Sequence, residues 1–536
     1  MEDAKLFTIK IESILGGQSP MSEFARSDQF RASIGIDPSL PINELTTSPY
    51  SIISSGYLRP TPSKKFSGAV LLKAPRWILP QPKSATVYVY DAQGSLYSTT
   101  NFAALTAIAD GGSLTGSVGN GAEYYDNYLY LAKNTDIARY GPLNGVPEFD
   151  GSYWDTTLAK SALVDTDYPL QSAFGSSLGF EFPNHILKRH SDGRLYIADV
   201  VGNTGTIHFI QTSKTAVEGD TNNGSTEGKL VVGYGLWPTA MESYGSDLVI
   251  AFYEGTAQTT VRQSRAKIAF WDTTSTNVNK LVWVEYPDPM ITAIKNINGI
   301  LYFASYSPGN EGWRITRFVG GYTFEDVLLF ESGTPPAQGA IDGDAIRLLL
   351  GGYTRIPENM GCVWSYNLRK SKLVNDGLFN VMGATGGSTV AVTTLKIVEN
   401  QSVSLGVPPT IGWSDGTNFG LDTSSAADFG TPANVWWSQT YRIGKPFKIR
   451  RIIIPLARSV AAGVIITPTL YFDNGETTKT LTEINNTNYP NKNNIIIRPE
   501  NAVGNNNFWL GFRWSGTIIC TIALPITIEY EILPYE

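Results

Sequence analysis

One short strand pattern recurs along the middle of the chain and constrains the fold more than any other feature. A turn is followed by Leu, Tyr, an apolar residue and Ala, as in Leu129-Tyr130-Leu131-Ala132, Leu195-Tyr196-Ile197-Ala198 and Leu301-Tyr302-Phe303-Ala304. Looser versions are Leu248-Val249-Ile250-Ala251, Leu348-Leu349-Leu350-Gly351 and Val390-Ala391-Val392-Thr393, and an earlier unit opens at Trp77-Ile78-Leu79. The units start at 77, 129, 195, 248, 301, 348 and 390, so successive starts lie 52, 66, 53, 53, 47 and 42 residues apart. Strand-only repeats of about 40–50 residues fit propeller blades. A small sheet has two apolar faces and cannot bury both alone, whereas radial packing covers both. The spacing predicts an all-β chain with a β-propeller of about seven blades over residues 61–423. The recurring strand is expected to be innermost, its small last residues (Ala132, Ala198, Ala251, Ala304, Gly351) crowding the axis. Residues 143–184 and 212–232 are expected as surface loops.

Composition agrees. Aromatic residues make up 12%, with 52 Gly and 30 Pro, which favours strands joined by many turns. No long segment carries a 3.6-residue apolar period. Charged residues are only 17%, below the roughly 25% usual in soluble domains. The net charge of −7 argues against binding nucleic acid by phosphate neutralisation, so no nucleic-acid sequence recognition is expected. The densest basic clusters, Lys188-Arg189-His190 and Lys445, Lys448, Arg450, Arg451, read as solvated strand faces or turns. No run of about 18 apolar residues is present, so no membrane span is expected. The acidic opening with Glu2 and Asp3 is unlike a secretory signal, which predicts synthesis in the cytoplasm without a signal peptide.

The flanks differ from the middle. Residues 1–60 read as an extended N-terminal arm holding one alternating strand, KLFTIKIES. A lone strand buries little, so it should pack on its own propeller or add to a neighbouring molecule. Residues 424–536 lose the repeat and read as about seven strands of a C-terminal β-sandwich or jelly roll, with a hairpin turn at Asp473-Asn474-Gly475. Alternation in FKIRRIIIP sets Lys448 and Arg450 opposite Phe447 and Ile449, so that face should be wet or meet a partner.

Reactive chemistry is sparse. His185, His190 and His208 are the only histidines and lack metal-like spacing. Cys362 and Cys520 sit in apolar runs and read as buried thiols. Ser414-Asp415-Gly416-Thr417-Asn418-Phe419 approaches the Asp box of sialidase-type propellers but lacks its spacing. Acidic loops at Asp220, Asn222, Glu227 and at Asp342, Asp344 could hold calcium but read better as solvated turns. Trp436, Trp437, Trp509 and Trp514 could stack on sugars, but at strand positions they read as core packing or an interface. No catalytic residue, cofactor or metal site is therefore expected, and the chain reads as a non-enzyme.

The extended arm, the propeller-like middle, the terminal sandwich and the Asn-rich turns (NNTNYPNKNN, GNNNFW) resemble virion proteins of tailed bacteriophages, more narrowly the propeller-bearing tail-tube or nozzle proteins. The resemblance is architectural and carries no functional residue across. It implies a viral tail protein (nozzle, tail tip or adaptor) in the virion, a homo-oligomer acting in assembly and host attachment. Its partners would be copies of itself and other virion proteins, met through residues 1–60 and the C-terminal sandwich, with a host-surface glycan as a further one. A glycan- or receptor-binding protein is the alternative, and a propeller hydrolase or lyase the second.

Overall fold

The structure is a computed structural model. It describes residues 6–12, 17–18, 29–34, 64–108, 121–154, 186–210, 217–218, 230–254, 265–307, 312–330, 335–354, 360–378, 391–398, 409–424 and 434–534, less 93, 103, 133–136, 202–203, 276, 370, 416, 517 and 519. Among these residues the chain is all β, with 3-10 turns but no α-helix. Among the described residues no helix is long and apolar enough to cross a membrane.

Most strands form small antiparallel sheets that follow one another in chain order. The first sheet runs Pro75–Pro80, Val87–Asp91, Leu96–Thr99, Thr106–Ala107, and the second Ala122–Tyr125, Tyr128–Ala132, Ile137–Gly141, Glu148–Trp154. The third opens with Ile186–Arg189 and Leu195–Val201, the fourth with Leu236–Tyr244 and Asp247–Glu254, and the fifth with Met290–Ile297 and Ile300–Ser307. The sixth opens with Ile341–Gly343 and Arg347–Thr354. The seventh is Ala391–Ile397, Pro409–Ser414 and Phe419–Ser424, completed by Lys64–Val70 from far earlier in the chain.

The opening strands of these sheets touch in a closed circuit. Pro75–Pro80 meets Ala122–Tyr125, and each opening strand meets the next until Ala391–Ile397 returns to Pro75–Pro80. This is a propeller-like array, as the repeat predicts. One detail is corrected. The Leu-Tyr-apolar-Ala strands are second in their sheets, not innermost, because each is the return arm of a hairpin whose first arm lies at the hub. Their small residues are crowded by a neighbouring sheet instead: a Cβ on Gly351 would stand 2.6 Å from Val392. Glu148–Trp154, within a stretch expected as a loop, and Leu230–Tyr234, which overlaps the end of another, are paired strands.

Compactness divides the chain into two units that differ from its linear segments: Met1–Lys65 with Cys362–Asn380 and Ser424–Glu536, and Phe66–Gly361 with Val381–Thr423. In the first unit, one sheet has the order Leu6–Ile11, Ile526–Ile532, Phe447–Pro455, Asn494–Ile497. A second has the order Thr477–Thr480, Ile465–Phe472, Asn507–Trp514, Asn434–Trp437, Ala32–Ile34. Their inward residues share one core, including Phe447, Ile452, Ile466, Phe472, Phe508, Phe512 and Ile528. The strand at Leu6–Ile11 takes neither course expected of it. It pairs in register with this chain's own C-terminal strand, Leu6 opposite Glu531 and Ile11 opposite Ile526. The turn at Asp473-Asn474-Gly475 lies where expected, with all three residues in the left-handed region.

Candidate functional site at the hub of the sheet array

The innermost strands place one residue each at an equivalent rung. Pairing sets Glu123 opposite Tyr130, Lys188 opposite Tyr196, Glu242 opposite Val249, Lys295 opposite Tyr302, Asp342 opposite Leu349 and Lys396 opposite Thr410. In the second to sixth sheets each partner is the second residue of the apolar run of its strand; in the seventh it is Thr410. The same rung of the first sheet holds Leu79, opposite Tyr88. Around the hub the charges therefore alternate from Glu123 to Lys396, and Leu79 closes the circuit.

These charges hold one another. Lys188 Nζ lies 2.7 Å from Glu242 and Lys295 Nζ lies 2.7 Å from Asp342, while Lys396 reaches Asp342 at 3.4 Å. Asp342, only 5% exposed in its side chain, serves two lysines and also accepts the Ile397 amide at 2.9 Å. Burial opposes its ionisation, but Lys396 and Lys295 outweigh burial and pull its carboxyl down to about 2. Burial also acts on the lysines. At Lys188 it is outweighed by Glu242 and Glu123, and the ammonium pKa is raised. At Lys396 burial and the neighbouring Lys295 prevail over Asp342, and the pKa is lowered. Enclosed charges of this kind carry a large desolvation penalty that only close pairing offsets.

Hydrogen bonds stitch the same circuit. Tyr90 Oη donates to Ala132 O at 2.6 Å, and Tyr125 Oη to Gly193 O at 2.7 Å. His190 lies 2.8 Å from Ser243 Oγ through Nδ1 and 3.1 Å from Ser246 O through Nε2, so the tautomer with Nε2 protonated satisfies both. Asn296 Nδ2 donates to Ser243 O, and Thr292 Oγ1 to Pro336 O. Thr394 Oγ1 donates to Gly339 O, and Thr393 Oγ1 to Pro75 O, which closes the ring.

The residues singled out in the sequence scatter. Lys188 and His190 are not a solvated face: one is a hub cation and the other is buried between sheets, because their strand is innermost. Arg189 is exposed. His208 is buried elsewhere, and His185, Asp220, Asn222 and Glu227 lie outside the described residues. Asp342 belongs to the hub, whereas Asp344 pairs with Arg347 at 2.7 Å. Asp415 folds back on the amides of Thr417 and Asn418. Cys362 and Cys520 are buried free thiols, and burial raises the Cys520 pKa to about 11. Among the described residues no group of three His, Cys, Asp or Glu could hold a metal. In the terminal unit Arg450 pairs with Glu531 and Arg451 with Glu529, while Lys445 is exposed. All four tryptophans are buried, Trp436 and Trp514 in the shared core and Trp437 and Trp509 outside it. Of the hub charges, the sequence drew attention to Lys188 and Asp342 alone and read both as solvated, whereas Glu123, Glu242, Lys295 and Lys396 went unnoticed because each is a single charge in an otherwise uncharged strand (AEYY, LWPTAMESY, MITAIKNI, AVTTLKI). Only their offset from the hairpin turns relates them.

No family model matches this chain, and no curated protein matches it. Among solved structures it is similar to the computationally designed Ika8 protein (12% identity, TM-score 0.36, covering 68% of this chain and 100% of that one). It is also similar to the Pan2 WD40 domain of Neurospora crassa (9%, TM-score 0.39, 66% and 89%). A third is an exo-beta-1,3-galactanase of Phanerochaete chrysosporium (11%, TM-score 0.28, 87% and 100%). The propeller-like description rests on the strand ladders and the closed circuit of opening strands.

Proposed function

We propose that this chain is a non-enzymatic structural component of a virus particle, a tail protein of the nozzle, tail-tip or adaptor kind, acting in assembly and host attachment. In this reading the array is a seven-bladed propeller and the two terminal sheets form a β-sandwich. The observation that carries the proposal is the use of charge at the hub. Acids and lysines there are committed to one another and to neighbouring backbone, which suits a part that must hold its shape. Glycoside hydrolysis would need two carboxylates free to flank a scissile bond. The acids at this hub that pair closely, Glu242 and Asp342, each hold a lysine.

Partners in this reading are further copies and other virion proteins, met through the N-terminal arm and the terminal sheets. The strand Leu6–Ile11 is an edge of its sheet among the described residues, and edge strands accept added strands. Sedimentation across a concentration range, followed by electron microscopy, tests the proposal. A symmetric oligomer is expected. A monomer at every concentration would overturn the assembly role, and release of sugar from a polysaccharide would favour a hydrolase. The second reading, glycan or receptor binding, is favoured by the two tryptophans that lie outside the shared core.

A further inference from the structure

Alternation along a strand sends successive side chains to opposite faces. In Asn507–Trp514 the residues Phe508, Leu510, Phe512 and Trp514 enter the shared core, so Asn507, Trp509, Gly511 and Arg513 point the other way. On the neighbouring strand Tyr471 pairs with Trp509, and Trp437 pairs with Gly511 on the other side. The outer face of this sheet therefore gathers three aromatic rings about a glycine. Tyr471 and Trp509 are stacked with centroids 5.3 Å apart and planes 5° from parallel. A Cβ on Gly511 would meet Tyr471 at 3.0 Å and Trp437 at 3.2 Å, so the missing side chain lets both rings lie over the strand.

An outward aromatic cluster would normally be exposed, yet Trp437 and Trp509 are each 6% exposed. A piece of the N-terminal arm contributes cover. The Arg31 guanidinium lies 4.1 Å from the Trp509 ring centroid, the Arg31 amide donates to Trp437 O at 3.2 Å, and its Nη1 reaches Thr440 Oγ1 at 3.4 Å. In backbone pairing, Ala32–Ile34 adds three residues to the sheet edge, lying also against Lys372–Leu378, and Gln29–Phe30 pairs over two. Segments with so few paired residues open at low free-energy cost.

We propose that this outer face is a binding site for a pyranose oligosaccharide, and that residues 29–34 are a strap that closes it. Flat aromatic faces present the apolar surface on which a sugar ring can lie. Exposed Arg513 stands four residues from Trp509 on the same face, about 13 Å along the strand. That span suits two or three sugar units, with a hydrogen-bonding cation at the far end. The site rests on the second reading above, glycan binding, and not on the assembly role.

The test uses the full chain and three variants: Arg31→Ala, which removes the guanidinium; Arg31→Pro, which also removes the amide donor; and Arg31→Ala with Trp509→Ala. Acrylamide quenching of tryptophan emission reports exposure, and titration with cellohexaose and hexagalacturonate reports binding. Both single variants should increase quenching and bind at least one oligosaccharide at least tenfold more tightly than the unaltered chain, and the double variant should lose that gain. A preference for hexagalacturonate would assign Arg513 to a sugar carboxylate, and equal binding would assign it to hydroxyls, either result upholding the site. Greater quenching without binding would overturn the site, and unchanged quenching in both single variants would overturn the strap.

Discussion

The hub of the sheet array and the core of the terminal unit solve one problem in opposite ways. In the terminal unit two broad sheets press aliphatic and aromatic side chains together, with Phe447 in contact with Phe472, Phe508 and Tyr530. At the hub, seven short strands converge, and the rung they share carries three lysines, three acids and one leucine. Apolar contact is tolerant of partner, whereas paired charges are selective. The comparison teaches that the sheets obtain their stability from the apolar clusters between them, and that the hub determines which strand stands beside which.

The largest effect that would sharpen this contrast is expected in the terminal core. Phe447→Ala should cost about 4 kcal/mol in denaturant unfolding, since a buried ring leaves a cavity. At the hub, Lys188→Ala strands a buried Glu242 and should cost about 3 kcal/mol. The double variant Lys188→Met with Glu242→Leu should recover most of that loss. If it is as unstable as the single variant, the pair does not act as a unit and the contrast fails. Acid gives the next effect. The folded pKa of Asp342 is held below its ordinary value of 3.8, so its contribution is complete above pH 4 and fades as pH falls through about 2. The loss should approach ~2 kcal/mol and be absent in Asp342→Asn, as read from unfolding midpoints between pH 5 and pH 2. The smallest effect belongs to an exposed pair on outer strands: Arg317→Ala, which releases Glu325, should change stability by less than about 1 kcal/mol.

The repeat was legible in the sequence because apolar return strands such as Leu195-Tyr196-Ile197-Ala198 follow recognisable turns. Their place within each sheet was not, since a run buried on both faces looks the same one strand in or two. Closure of the seventh sheet by Lys64–Val70, and of the terminal sheet by Leu6–Ile11, depends on pairings more than 300 residues apart that local patterns do not encode. The hub charges share that fate: Lys188 sits in a run that reads as surface, and only a partner 54 residues away makes it interior. Trp437 and Trp509 were visible as candidates for sugar contact. Their separation from Trp436 and Trp514 follows from strand parity, but their cover by Arg31 does not.

Leu79 carries one more consequence. A loop with an odd number of stations cannot be labelled in two colours without a clash, and a hub of alternating signs faces the same parity rule. Either sign at position 79 would stand beside its like, Lys396 on one side or Glu123 on the other. An uncoloured residue removes the clash.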